Sequence, residues 1–173
     1  EYQDGRSSKA MFSLLDEIRR LRRSGLKIEV LALDTEHYDS PGDRDAAMAA
    51  SLVEAIEKVR PARTLVLVGN VHSRTLNGYP WDAKAAYVPL GALLRARYAG
   101  LVALDAKNSG GSAWICTSAE ARDCGARDQR AREMPGPVPR IAMDPAAAPR
   151  TGHDGELFIG PVTASPPAHL ERP

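Results

Sequence analysis

The chain has no apolar run approaching the roughly 18 residues needed to span a bilayer, and no excess of charge of one sign. Its 23 Lys and Arg stand against 22 Asp and Glu over 173 residues. The first absence argues against a membrane-spanning helix in this sequence. The second removes the electrostatic case for nucleic acid or an anionic membrane as partner. P-loop, GxGxxG, GxSxG and HExxH motifs are all missing, so no common nucleotide, hydrolase or metalloprotease signature assigns a function. Internal repeats are missing too. Cysteine is scarce, with only Cys116 and Cys124, and no His lies near them at zinc-finger spacing.

What is present fits an ordinary globular protein: 43% apolar and 26% charged residues, at a length suited to one domain. Met11, Leu14, Leu15, Ile18 and Leu21 mark an amphipathic helix over 7–24, with Gly25 just past its end. Arg19, Arg20, Arg22 and Arg23 form its solvated face. A buried strand is expected at 27–34, ending in Asp34. Asp43 then caps a helix over 44–60, striped by Ala47, Met48, Ser51, Leu52, Ala55, Ile56 and Val59 and stopped by Pro61. A second buried strand is expected at 64–68. Helix and strand alternating through short loops indicate an α/β fold with a mainly parallel sheet flanked by helices.

The second half is less regular. A short helix is expected at 90–98 and a strand at 101–106. Ser109-Gly110-Gly111-Ser112 reads as a turn into a strand at 113–117, an antiparallel hairpin at one edge of the sheet. Pro135, Pro137, Pro139, Pro145 and Pro149 make 126–152 a Pro/Ala-rich loop. Residues 156–162 return as a strand within a final segment, 153–173, that ends in a tail. The polar stretch between Cys116 and Cys124 allows either a short disulfide loop or two thiols. If bridged, their Cα atoms should lie about 4.4–6.8 Å apart.

The strongest functional signal is Gly69-Asn70-Val71-His72, directly after Leu65-Val66-Leu67-Val68. In an open parallel sheet, ligands gather beyond the carboxyl ends of strands. Helix N-termini on the same edge favour anions. Asp34, Asp43, Arg44, Asp45, Asn70 and His72 are therefore expected to share one cleft. A His beside carboxylates suits a general base or a ligand to zinc, manganese or iron. The plainer readings are that Asp43 and Asp45 cap a helix, that His37 is a solvated loop residue, and that Asp4 and Arg6 form a surface pair. Trp81 and Trp114 read as packing groups, and His153 and His169 receive no role.

Arg44-Asp45-Ala46-Ala47-Met48-Ala49, followed some twenty residues on by Gly69-Asn70-Val71-His72-Ser73-Arg74, resembles a superfamily. It is that of erythromycin esterase, the ChaN lipoproteins and the Tiki and TraB/PrgY proteins, with the ChaN-like bacterial branch nearest. Asp4-Gly5-Arg6-Ser7-Ser8-Lys9-Ala10-Met11 and Gly155-Glu156-Leu157-Phe158-Ile159-Gly160-Pro161-Val162 add to the likeness, which covers residues 1–125 best. The resemblance implies an α/β sandwich and a polar cleft built from two G-x-x-H motifs. Only one is present, so the chain is expected to be the C-terminal part of a longer domain with exposed apolar sheet edge.

The activity implied is an extracytoplasmic hydrolase of a small-molecule or peptide substrate, periplasmic or outer-membrane-associated, with a divalent metal as one option. His72 would be base or metal ligand, Arg44 would hold an anionic group, and Asp45 would orient a partner or join His72 on a metal. Asn70, Asp4 and Arg6 would support the cleft. The alternatives are a haem- or iron-compound-binding protein, with Tyr38 and Tyr79 as ligand candidates, and a non-catalytic fragment. Cys116 and Cys124 would be bridged.

Overall fold

The structure, a computed structural model, describes residues 7–34, 41–118, 123–134 and 136–168, without side chains at 41 and 42. Its elements are α1 (Lys9–Arg23), α2 (Pro41–Val59), α3 (Leu90–Arg97), β1 (Leu104–Cys116), β2 (Cys124–Gln129), β3 (Arg140–Met143), α4 (Ala148–Thr151) and β4 (Gly155–Val162). The strands form one sheet in the order β2-β1-β4-β3. The α/β class stands, but the sheet is mixed and mostly antiparallel rather than mainly parallel.

The reason lies in the two runs read as buried strands. Residues 26–34 and 63–69 carry no regular secondary structure, and neither joins a ladder. Leu33, Val66 and Val68 pack against the core, while Leu65 and Leu67 are 97% and 73% exposed. Over 65–68 exposure alternates, so every second side chain turns inward. With no paired strand beside the run, the others stay in solvent. An apolar run reports a capacity for burial on two faces; here one face is used.

The chain divides into two compact units. The first comprises Glu1–Val30, Asn108–Val138 and Ile159–Pro173, and the second Leu31–Lys107 and Pro139–Phe158. In the first unit, Ser8 caps α1 by accepting from the Met11 N–H at 3.3 Å. The next free amides are satisfied by the returning chain: Lys9 N–H donates to the Pro166 carbonyl at 3.0 Å and Ala10 N–H to Ser165 Oγ at 2.8 Å. Despite its stripe, α1 buries no residue, and Met11, Leu14 and Leu15 remain exposed.

The hairpin is displaced from its expected place. Gly110 and Gly111 do not form a turn; they lie inside β1 with φ of +111° and +103°. A Cβ on Gly111 would stand 2.0 Å from the Val162 carbonyl oxygen, so glycine permits close backbone approach here. β1 instead pairs with β2 antiparallel, from Gly111↔Gln129 to Cys116↔Cys124. A disulfide joins Cys116 and Cys124 with Cα atoms 3.9 Å apart, closer than the expected range. The 126–152 region is not one loop: it holds the end of β2, all of β3 and a short helical turn running into α4.

The second unit has its core where α2 and α3 meet: Met48, Ala49, Leu52, Leu90 and Leu94. These are the striped positions of α2 and the buried side of α3. β3 pairs with β4 from Arg140↔Phe158 to Met143↔Gly155, and the Arg140 guanidinium lies 4.0 Å over the Phe158 ring.

Candidate functional site

The site is built on the N-terminal part of α2, the turn after residues 63–69, and the entry to α3. Asp45 is completely buried. Its carboxylate accepts from the Leu90 N–H at 2.8 Å and from the Tyr87 hydroxyl at 2.8 Å, and His72 Nδ1 lies 2.8 Å from Oδ1 and 3.1 Å from Oδ2. Leu90 opens α3, and the residue before it, Pro89, has no side-chain acceptor to cap the helix. Asp45 supplies that cap from α2. One carboxylate therefore joins two helices and fixes the imidazole.

Burial alone would raise the Asp45 carboxyl. The hydrogen bonds from His72, Tyr87 and the Leu90 amide outweigh it and hold Asp45 below its ordinary value. Tyr87 is pushed up strongly by burial and by its bond to Asp45, so it stays a donor. Facing a carboxylate, His72 Nδ1 is the nitrogen placed to donate to Asp45. The His72 side chain keeps 24% exposure.

The turn carrying His72 is held against α3. Ser73 N–H donates to the Gly69 carbonyl at 3.1 Å, and Gly91 N–H donates to the His72 carbonyl at 2.8 Å. A Cβ on Gly91 would sit 2.3 Å from the Ser73 carbonyl oxygen. Only glycine lets α3 lie this close. The next side chain, Ser73, places its Oγ 3.0 Å from His153 Nε2 and 3.1 Å from the Asn70 carbonyl oxygen. His153 is buried, and burial lowers its pKa. Asp154, beside it, accepts from the Ala103 N–H at 2.8 Å and pairs with Arg95.

Tyr79 stacks on Tyr87 with ring centres 4.3 Å apart and on Trp81 with centres 5.1 Å apart. Reciprocal backbone bonds between Tyr79 and Asp82 hold this turn. The buried Arg74 steadies it further through the Gly78 carbonyl at 2.9 Å. Trp81, read as a packing group, is 75% exposed.

Of the residues expected to share a cleft, His72 and Asp45 meet directly. They do so beside a segment that joins no ladder, rather than at the edge of a parallel sheet. Arg44 pairs with Asp34 through both Nε and Nη2, and its charge is felt at the Tyr87 hydroxyl. Asp43 stands in the first turn of α2 rather than before it, because the helix starts at Pro41. Asn70 contributes its carbonyl to Ser73. Asp4, Arg6, Glu36, His37, Tyr38 and Asp39 lie outside the described residues. Tyr87, Ser73 and His153 were missed by sequence reasoning. The only signal for Tyr87 is a hydroxylated aromatic just before a Pro-led helix start.

Among the described residues, no group of three or more His, Cys, Asp or Glu could hold a metal ion, and the Asp45 carboxylate is buried under three hydrogen-bonded groups. Tyr79, the haem-ligand candidate, is engaged by two stacked rings.

No family model, curated protein or solved structure matches this chain.

Proposed function

We propose that the chain carries a hydrolase site in which His72 is the general base and Asp45 its positioning residue. The observation that supports this is the Nδ1–carboxylate contact at 2.8 Å, which orients the ring through Nδ1 and leaves Nε2 as the nitrogen that Asp45 does not engage. In the reaction, Nε2 takes a proton from water as that water attacks an acyl carbon. The resulting imidazolium is stabilised by the Asp45 carboxylate and returns the proton to the leaving group. Tyr87 and the Leu90 amide hold the carboxylate in place, so the base is oriented before substrate arrives. Substrates of this reading are small acyl esters or peptides, and no metal enters the step. The likeness of Arg44–Ala49 and Gly69–Arg74 to the erythromycin esterase and ChaN group points to the same reaction class and to an extracytoplasmic setting.

The test is hydrolysis of a panel of acyl esters and short peptides with a chelator present. Turnover by the wild-type chain that His72→Ala abolishes supports the reading. Turnover unchanged by His72→Ala, or lost on chelation, contradicts it.

A further inference from the structure

We propose that α1 is an interfacial membrane element: its apolar stripe lies in the surface of an anionic bilayer and its arginines engage the lipid phosphates. The proposal does not rest on the hydrolase reading. Met11, Leu14, Leu15, Ile18 and Leu21 form a stripe of the kind that packs on a core in a globular protein, yet α1 buries no residue. Phe12, beside the stripe, is 56% exposed, and Met11, Leu14 and Leu15 are exposed with it. Hydrogen bonds to the returning chain sit at the first turn, where Lys9 and Ala10 donate to Pro166 and Ser165 and the Ala168 N–H donates to the Ser7 carbonyl at 2.7 Å. They hold the helix by its end and leave the stripe uncovered.

Charge indicates what covers it. α1 holds Lys9, Arg19, Arg20, Arg22 and Arg23 against Asp16 and Glu17. Both carboxylates are paired inside the helix, with Arg19 and Arg20, so Lys9, Arg22 and Arg23 carry the surplus. At roughly 3.6 residues per turn, Arg22 falls in line with Met11, Leu15 and Ile18. Arg19 and Arg23 run along one edge of the stripe, and Asp16 and Glu17 fall towards the far side. The cations therefore border the apolar face instead of opposing it. Helices that lie in a bilayer interface are arranged in this way: apolar side chains enter the acyl boundary, and long arginine stems carry the guanidinium up to the phosphates. Over the whole chain the charges balance, so composition gives no sign of this partner; the surplus is local to α1.

Other occupants fit less well. A second copy of α1 would bring one cationic surplus against another. Nucleic acid would take the arginines and leave Phe12 and Leu14 in water. An anionic lipid surface satisfies both features. Among the described residues no helix is long and apolar enough to cross a membrane, so the contact is with the surface of one leaflet. A helix of 15 residues is marginal by itself in water, and burial of the stripe stabilises it on that surface.

The test is flotation of the full chain with vesicles of phosphatidylcholine, alone or mixed equally with phosphatidylglycerol. The chain should bind the mixed vesicles, bind the neutral ones far more weakly, and release as salt is raised. Arg22→Gln with Arg23→Gln should weaken binding about 10-fold or more. Arg63→Gln with Arg127→Gln removes the same charge from exposed positions outside α1 and should have little effect. Phe12→Ser with Leu15→Gln should also weaken binding about 10-fold or more, at unchanged charge. Far-ultraviolet circular dichroism checks that each variant keeps its helix content. Absence of vesicle binding would leave α1 to a protein partner and overturn the proposal. Equal binding to neutral vesicles, an equal loss from the control pair, or wild-type binding by the stripe variant would overturn it too. So would a dimer in sedimentation equilibrium that Leu15→Gln disrupts, which would assign the stripe to a second copy. If the stripe variant does not fold, the comparison of the two arginine pairs decides alone.

Discussion

His72 and Asp45 stand 27 positions apart in sequence, yet Nδ1 of one lies 2.8 Å from Oδ1 of the other. The same carboxylate also caps α3 through Leu90. Helix packing and imidazole orientation thus share one side chain, and substitutions there should report on both.

Asp45→Asn keeps the shape and removes the charge. Three groups point hydrogens at this carboxylate, and an amide can accept with only one of its two heavy atoms. One donor loses its acceptor and the His72 tautomer is no longer fixed. Urea unfolding should show a loss of about 1–3 kcal/mol. Ester turnover should fall about 10²- to 10⁴-fold, with a smaller change in KM.

Gly91→Ala should disturb the site without touching a polar group. The added methyl would lie 2.3 Å from the Ser73 carbonyl oxygen and 2.5 Å from that of Arg74, both backbone atoms. Overpacking of this kind destabilises by about 1–3 kcal/mol. Gly125→Ala, with nothing within 4 Å of its added Cβ, is the control and should leave both stability and turnover near wild type.

Reduction of Cys116–Cys124 should loosen the β1–β2 hairpin. The bridge spans a separation of 8 residues, for which loop-closure entropy suggests about 2–3 kcal/mol. A thermal melt with and without dithiothreitol checks this. Turnover at a temperature where the reduced protein is still folded should hardly change, because the His72 pair belongs to the other unit.

Stability should also fall in mild acid through His153. Its folded pKa is depressed by burial, so the unfolded chain binds the proton more readily. The contribution is complete above the unfolded value of about 6.5 and is lost as pH drops from there towards the folded value. Unfolding free energy measured from pH 7.5 downward should decline more steeply in the wild type than in His153→Gln. Parallel curves would mean that His153 is not linked to folding.

Much of the helical structure was legible in the sequence. α1 and α2 follow a 3.6-residue stripe with recognisable ends at Gly25 and Pro61, and α3 falls within the short helix expected at 90–98. β4 was also legible, as a short apolar run near Gly155. The segments before Asp34 and Gly69 were misread as strands, because an apolar run records what a segment is able to bury and not whether a strand pairs with it. Gly110-Gly111 misled for a similar reason: glycine permits a tight turn and close backbone approach alike, and only the Val162 carbonyl decides between them. Within the site, His72 and Asp45 were readable from their places after an apolar run and at a helix start. Tyr87 lies 15 positions from His72 and His153 lies 80 from Ser73. No periodicity connects such residues, and only the fold brings them together.

The central claim is that the His72 imidazole, aimed by Asp45, supplies the base. The most direct measurement is ester turnover by His72→Ala with and without added imidazole, in chelator. The account predicts that the variant is inactive alone and regains turnover in proportion to imidazole concentration, and that this rescue weakens when Asp45→Asn is combined with it. A His72→Ala chain as active as wild type, or one that zinc or manganese restores and imidazole does not, would contradict it.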